Sequence, residues 1–299
     1  MRCVISTLAV LVVSLFLAAD SQSQTPAGAA PLHVGVVKTF FHDMSPELVE
    51  TITEPFTGVM RDAAGLTGEL IVGGEPFSVA QQLHDKKLQL GVFHGVEFAW
   101  VQKQYPDLRP LLVAVNTGRE LRAYVLVLKE GKVASFADLK GKDFSIPKRT
   151  REHCRLFVER QCRREGAPAA KDFFARTVVS PSVETALDDL CRGKVDGAVV
   201  DAIGLEFYKD LKPGAFARLK ILAQSEIFPP FVIAYRPGAL NDETLSRIKD
   251  GLRSAAKTER GREMMRTWRI TSFEPVPANF DQVLAESLKA FSNETCSAT

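Results

Sequence analysis

The chain has 299 residues, 45% of them hydrophobic and 25% charged, with a formal net charge of +2. That composition excludes disordered and collagen-like classes, and the length is enough for two core-bearing lobes. So mild a basic excess cannot dominate a whole face, which excludes a nucleic-acid footprint and makes any electropositive site local.

In chain order, Met1-Arg2 leads into an apolar run from Val10 to Ala19, followed by small and polar residues. This reads as a secretory signal over residues 1–19 and a spacer over 20–31, with the protein exported to the periplasm. The run is shorter than the roughly 18 to 20 apolar residues of a spanning helix, and no later stretch approaches that length. From residue 32 onward two patterns alternate. Strands are expected at 32–37, 69–72, 88–93, 111–115, 123–128, 144–146, 177–179, 195–200, 220–222 and 231–234. Helices are expected at 46–64, 78–85, 96–104, 150–165, 182–191, 242–257 and 261–268, with Ser182 and Asn241 as N-caps. Such alternation predicts α/β layers.

A weak internal echo runs through the chain. Leu83, Lys87, Leu88, Gly91, Val92, Phe93 and His94 match Leu190, Lys194, Val195, Ala198, Val199, Val200 and Asp201 at identical spacing. A second echo pairs Val36-Val37-Lys38-Thr39 with Ile146-Pro147-Lys148-Arg149-Thr150. Two similarly built lobes explain both; chance likeness between βα units is the alternative. The lobes would be 32–117 plus 231–299, and 118–230, with crossings near 118–124 and 224–230. Phe228-Pro229-Pro230 marks the second crossing, since consecutive prolines stiffen a linker and cannot continue a helix.

Several segments carry a resemblance. They are Val34-Gly35-Val36-Val37, the strand-then-Gly stretch from Leu88 to Gly95, and Tyr124 to Lys129. The two most recognisable are Phe136-Ala137-Asp138-Leu139-Lys140-Gly141-Lys142 and the run from Gly193 to Asp201. With them the chain, over roughly residues 32–292, resembles the solute-binding proteins of phosphonate, phosphite and phosphate ABC importers, a branch of the type 2 periplasmic binding fold. The resemblance implies a two-lobed α/β fold, each lobe a mixed sheet flanked by helices, with the ligand cleft between them. It implies a binding protein rather than an enzyme, taking a small oxyanion by lobe closure and passing it to a membrane permease. A monomer without cofactor or nucleic-acid partner is expected. Where that family grips the oxyanion with a Ser-Thr-Ser-Gly turn, this chain reads Pro147-Lys148-Arg149-Thr150-Arg151-Glu152-His153-Cys154.

Ligands of open α/β sheets collect at the carboxyl ends of strands, where helix N-termini present unpaired N–H groups. Thr39, His94, Thr150 and Asp201 fall at such ends. Arg151, with Lys148 and Arg149, sets cations beside a helix start, which favours a carboxylate, phosphate or sulfate; a solvated basic face is the alternative. Asp201 is either a partner for ligand donors or a plain helix N-cap. His94 and His153 are candidate donors to an oxyanion, or else structural histidines. Glu97, three residues after His94, faces the same side of its helix and suggests a local hydrogen bond. Phe40, with Phe41 and His42, offers an aromatic wall or core packing. Gly95 and Tyr124, which lie in segments carrying the resemblance, complete the candidate ligand set.

Four cysteines follow the leader: Cys154, Cys162, Cys191 and Cys296. Eight helical residues separate Cys154 from Cys162 by about 12 Å, too far for a bond. Both Cys162 and Cys191 are placed far from the cleft, so a Cys162–Cys191 disulfide is the expected pairing, leaving Cys154 free near the ligand. Two other function classes stay open on these residues. One is a binding protein for another organic anion, or for a metal or cofactor held by His94, His153 and Cys154 and feeding a sensor. The other is an enzyme with Cys154 as nucleophile, for which adjacent His153 points about 100° away on the helix.

Overall fold

The computed structural model describes residues 31–116 and 120–291. The expected signal, nearly all of the spacer, the residues at 117–119 of the first crossing and Cys296 lie outside the described residues. Strand side chains alternate between faces, and two mixed sheets use this to bury apolar residues on both sides. The first comprises β1 (Leu32–Val37), β2 (Gly68–Gly74), β3 (Leu90–Phe93), β4 (Arg109–Asn116), β10 (Phe231–Tyr235) and β11 (Ile270–Glu274), in the order β11-β4-β10-β3-β1-β2. The second comprises β5 (Ala123–Leu128), β6 (Asp143–Ser145), β7 (Arg176–Val178), β8 (Gly197–Asp201) and β9 (Leu219–Gln224), in the order β7-β6-β8-β5-β9. Parallel pairs β1/β3 and β6/β8 point their carboxyl ends at the region between the sheets, while β10 and β5 run antiparallel to their neighbours.

Register decides which helices each sheet face receives. Phe231 and Ile233 of β10 pack with α1 (Pro46–Ala64), α9 (Asp242–Ser254) and α10 (Glu259–Thr267). Val232 and Ala234 pack with α2 (Pro76–His84), α3 (Gly95–Gln104) and α11 (Phe280–Ala290). In the second sheet Val125 and Val127 face α4 (Glu152–Arg164) and α5 (Ala170–Phe173). Leu126, Ala198 and Val200 face α6 (Val183–Cys191), α7 (Ala202–Leu211) and α8 (Pro213–Phe216). One apolar cluster runs unbroken from Val34 and Met60 in the first sheet through Leu121, Phe228 and Phe291 to Phe157 and Phe144 in the second.

The α1 helix shows local sequence dictating both ends. Ser45 accepts a bond from Leu48 N, Pro46 fits the first turn where no N–H is needed, and Gly65 takes the left-handed stop at φ 62°. The β4-to-β5 and β9-to-β10 connections lie side by side through an antiparallel Leu121–Phe228 bridge. At the second connection Gly95 is indispensable, because a Cβ there would sit 2.5 Å from Pro230 O and 2.7 Å from Pro229 O. The first turn of α3 thus abuts the Pro-Pro segment directly.

The expected Cys162–Cys191 disulfide is not formed; Cys154, Cys162 and Cys191 are free thiols. Cys162 packs with the α4 face of the second sheet and Cys191 with the opposite face, so the sheet lies between them. Placing both far from the cleft was insufficient, since strand alternation separates α4 from α6. Cys191 Sγ instead lies 3.5 Å from Ala215 O and 3.8 Å from Tyr208 Oη.

Two outcomes follow. Alkylation in denaturant without reductant, read by peptide mass spectrometry, should label Cys154, Cys162 and Cys191 fully; a Cys162–Cys191 linked peptide would contradict the sheet placement. Gly95→Ala should lower unfolding stability in urea by about 1–3 kcal/mol, the range for overpacking against atoms that cannot swing away.

Candidate functional site

Four strand ends deliver the site. After β1 a single 3-10 turn, Lys38–Phe41, presents Thr39 and Phe40; after β3 comes His94, which caps α3; after β6 the loop through Arg151 leads into α4; and β8 ends at Asp201. The α4 helix starts at Glu152, two residues later than expected, because Arg149 adopts a left-handed backbone at φ 55° and Thr150 Oγ1 donates to Pro147 O at 2.5 Å. Asp201 takes the N-cap role, and its second oxygen is held by a side chain of this protein. Its Oδ1 accepts from Gly204 N at 2.7 Å as the N-cap of α7, while its Oδ2 meets Arg151 Nε at 3.1 Å.

Arg151 is the hub. With the Asn116 amide oriented to satisfy both its neighbours, Asn116 Oδ1 accepts from Arg151 Nη1 at 2.8 Å and its NH2 donates to Arg269 O at 2.7 Å. The guanidinium also lies 5.9 Å from the Phe231 ring centroid. Burial depresses its pKa and the Asp201 carboxylate opposes that depression. Further links join the two sheet systems: His42 Nε2 to Glu152 Oε2 at 2.7 Å and Arg155 Nη2 to Asp43 Oδ2 at 2.5 Å. Glu152 therefore places a carboxylate of this chain in the first turn of α4, against the positive end of the helix dipole.

Two chambers flank Arg151. The inner one, about 210 Å³, is lined by Thr39, Phe40, His42, His94, Phe231 and Trp268. The outer one, about 720 Å³, is lined by Lys148, Cys154, Val183, Ile203, Phe207 and Arg266 among others. Arg149, Thr150, Arg151 and Arg269 line both. Five sequence candidates thus meet at the inner chamber: Thr39, Phe40, His94, Thr150 and Arg151. Asp201 lines the outer one. Gly95, Tyr124 and His153 line neither. Gly95 is covered by the Pro-Pro segment, and Tyr124 packs with the α6 and α7 core. His153 is buried against the Phe228 ring with both ring nitrogens unpartnered. Sequence reading missed Arg266, Trp268, Arg269, Asn116 and Phe207. The one available signal was the cluster Arg266-Thr267-Trp268-Arg269 closing an amphipathic helix.

The inner chamber is built on a buried acid. Glu97 Oε1 accepts from Thr39 Oγ1 at 2.7 Å and Glu97 Oε2 accepts from His94 N at 3.2 Å, the local bond its spacing suggested. Burial pushes Glu97 up to about 8, helped by the Glu152 charge. Protonated, it can donate to Thr39 Oγ1 in turn, which releases the threonine hydroxyl hydrogen toward the chamber. Phe40 stacks on His94 at 4.0 Å between centroids, and Phe231 meets both rings edge-on at 5.0 Å. Burial, followed by the neighbouring His153 and His42, drives His94 well below its usual range, and its Nε2 has no partner. A neutral imidazole with an unbonded nitrogen is a ready donor for a ligand oxygen. Burial also pushes the Cys154 thiol far up, the reverse of what a nucleophile needs. Among the described residues no group of three or more His, Cys, Asp or Glu is arranged to hold a metal ion, and no helix is long and apolar enough to cross a membrane.

These groups set a pH profile. Glu97 has a raised folded pKa, so its contribution to stability is lost as pH rises from about 4.5 to about 8. His153, lowered to about 4 by burial, and His94, driven well below its usual range, contribute stability that rises with pH up to 6.5. The two histidines oppose Glu97 below 6.5, and of these three groups Glu97 alone acts above it. Urea unfolding should show stability falling by on the order of 1–2 kcal/mol between pH 6.5 and 8, and Glu97→Gln should flatten that fall. An unchanged slope in the variant would remove Glu97 as its source.

The family model described as the periplasmic substrate-binding protein of phosphonate ABC transporters matches residues 39–279. Among solved structures, the binding-protein component of an ABC phosphonate transporter from Pseudomonas aeruginosa is 17% identical with a TM-score of 0.56, covering 87% of each chain. PhnD1 from Prochlorococcus marinus in complex with methylphosphonate is 13% identical at 0.57, covering 86% of this chain and 97% of that one. XAC2383 from Xanthomonas citri bound to ATP is 15% identical at 0.59, covering 88% and 97%. No curated protein matches the chain. The structural likenesses establish the expected two-sheet fold, and the match across most of the sequence establishes the lineage: this chain belongs to the family of periplasmic substrate-binding proteins of phosphonate ABC transporters.

Proposed function

We propose that the inner chamber binds the oxyanion head of a phosphonate or phosphate-like solute, reversibly and without altering it, for delivery to the membrane permease of an ABC importer. The observation that carries this is the convergence on one small chamber of the Arg149 and Arg269 guanidinium groups, neither in an ion pair among the described residues, beside the neutral His94 and the hydroxyls of Thr39 and Thr150. Arg151 contributes field more than a free fork, since Asp201 and Asn116 already hold it. Cations thus take over the task that hydroxyls and backbone N–H groups perform in a Ser-Thr-Ser-Gly turn, and the start of α4 is served by Glu152. That PhnD1 is described in complex with methylphosphonate supports the same head group. Residues 32–117 with 231–299 and residues 118–230 act as the two lobes, turning about the Leu121–Phe228 pair to admit and enclose the solute. The protein works as a monomer in the periplasm, with residues 1–19 as its export signal and without nucleic acid or cofactor.

Ligand linkage gives the test. At a hundred times Kd, bound ligand adds about 2.7 kcal/mol to folding stability, so inorganic phosphate or methylphosphonate should raise Tm by several degrees. Arg269→Gln should weaken that binding by tenfold or more, the equivalent of one charge-assisted bond. No shift with inorganic phosphate, phosphite or alkyl phosphonates at millimolar concentration would reject the reading.

A further inference from the structure

The outer chamber is far too large for a compact oxyanion. At about 720 Å³ it falls in the range of sites that enclose drug-sized organic ligands, whereas the inner chamber's 210 Å³ lies below that range. The contacts of His42 with Glu152 and of Asp43 with Arg155 join the two sheet systems beside this space.

Its lining has two characters. Lys148, Arg149, Arg266 and Arg269 have no carboxylate within ion-pair distance among the described residues. The chamber's own acids are taken, Asp201 by Arg151 at 3.1 Å and Glu184 by Lys212 at 2.7 Å. Four cations without acidic partners, all reached by solvent, give the cavity a local positive field that favours an anionic ligand. Against them stands an apolar wall of Val183, Ile203 and Phe207. Phe207 is 60% exposed in a chain whose other phenylalanines along the cleft, Phe40 and Phe231, are packed in aromatic clusters. An aromatic ring left open beside cations is a platform for a second ring.

We infer that the ligand of this protein is a ring-bearing organic phosphate or phosphonate with more than one anionic group. Its terminal oxyanion sits in the inner chamber, its further anionic group lies against Lys148 and Arg266, and its ring rests on Phe207. Arg149, Thr150, Arg151 and Arg269, common to both chambers, mark where the chain of phosphate or phosphonate oxygens passes from one to the other. The inference rests on the oxyanion reading above and narrows it from a compact solute to an extended one.

Isothermal titration of the purified protein with methylphosphonate, pyrophosphate and ADP separates the possibilities. ADP, which carries both ring and charge, is expected to bind at least tenfold more tightly than either of the others. Phe207→Ala and Arg266→Gln should each weaken ADP at least fivefold and weaken methylphosphonate less. Methylphosphonate binding as tightly as ADP overturns the extended-ligand inference while leaving the oxyanion reading intact. Pyrophosphate matching ADP removes the role of the ring and overturns it equally. Binding of none of the three, or of inorganic phosphate, overturns both readings together.

Discussion

The charge on Arg151 is the constraint around which the cleft is organised. A guanidinium with only 11% of its side chain exposed must be paired and hydrogen-bonded or the site does not form. Its carboxylate, Asp201, comes from the end of β8 in the second sheet, and its amide, Asn116, from the end of β4 in the first. One buried cation therefore couples both sheets, the start of α7 and, through Asn116, the backbone of Arg269. Breaking either partnership leaves a charge without compensation, which costs more than the pair itself contributes.

That arrangement also divides labour among the arginines. Arg151 is saturated by protein partners, and its fixed position lets Arg149 and Arg269 stay unpaired on either side of it. Both of those residues adopt left-handed backbones, at φ 55° and 53°, which non-glycine residues rarely take. Non-glycine residues in that region are found preferentially at ligand sites. The buried Glu97 keeps Thr39 and His94 in register from below.

Much of this was legible from sequence because it is local. The bounds of α1 follow from Ser45, Pro46 and Gly65, and the strand ends carrying Thr39, His94 and Asp201 follow from apolar runs that stop at a polar residue. The rest is not local. Phe207 and Leu211 are exposed on α7 while Leu205 and Tyr208 are buried, so apolar residues lie on both faces and the helical period is blurred. The start of α4 was misplaced because nothing in Lys-Arg-Thr-Arg announces a positive φ at Arg149. The Arg151–Asp201 pair joins two residues singled out separately, and only the β6–β8 pairing in the sheet brings them together. Arg269 and Trp268 reach the site through β11 and α10, whose placement depends on β4 rather than on their own sequence.

The cysteines allow one last deduction. Cys154, Cys162 and Cys191 are each sealed in the core as thiols, and the second sheet stands between Cys162 and Cys191 as a wall no side-chain movement can cross. Over the described residues, nothing in the native covalent structure depends on an oxidant. The covalent structure of residues 31–116 and 120–291 is therefore indifferent to redox poise: their arrangement is available in a glutathione-rich compartment and in an oxidising one, and passage between them changes no bond among those residues.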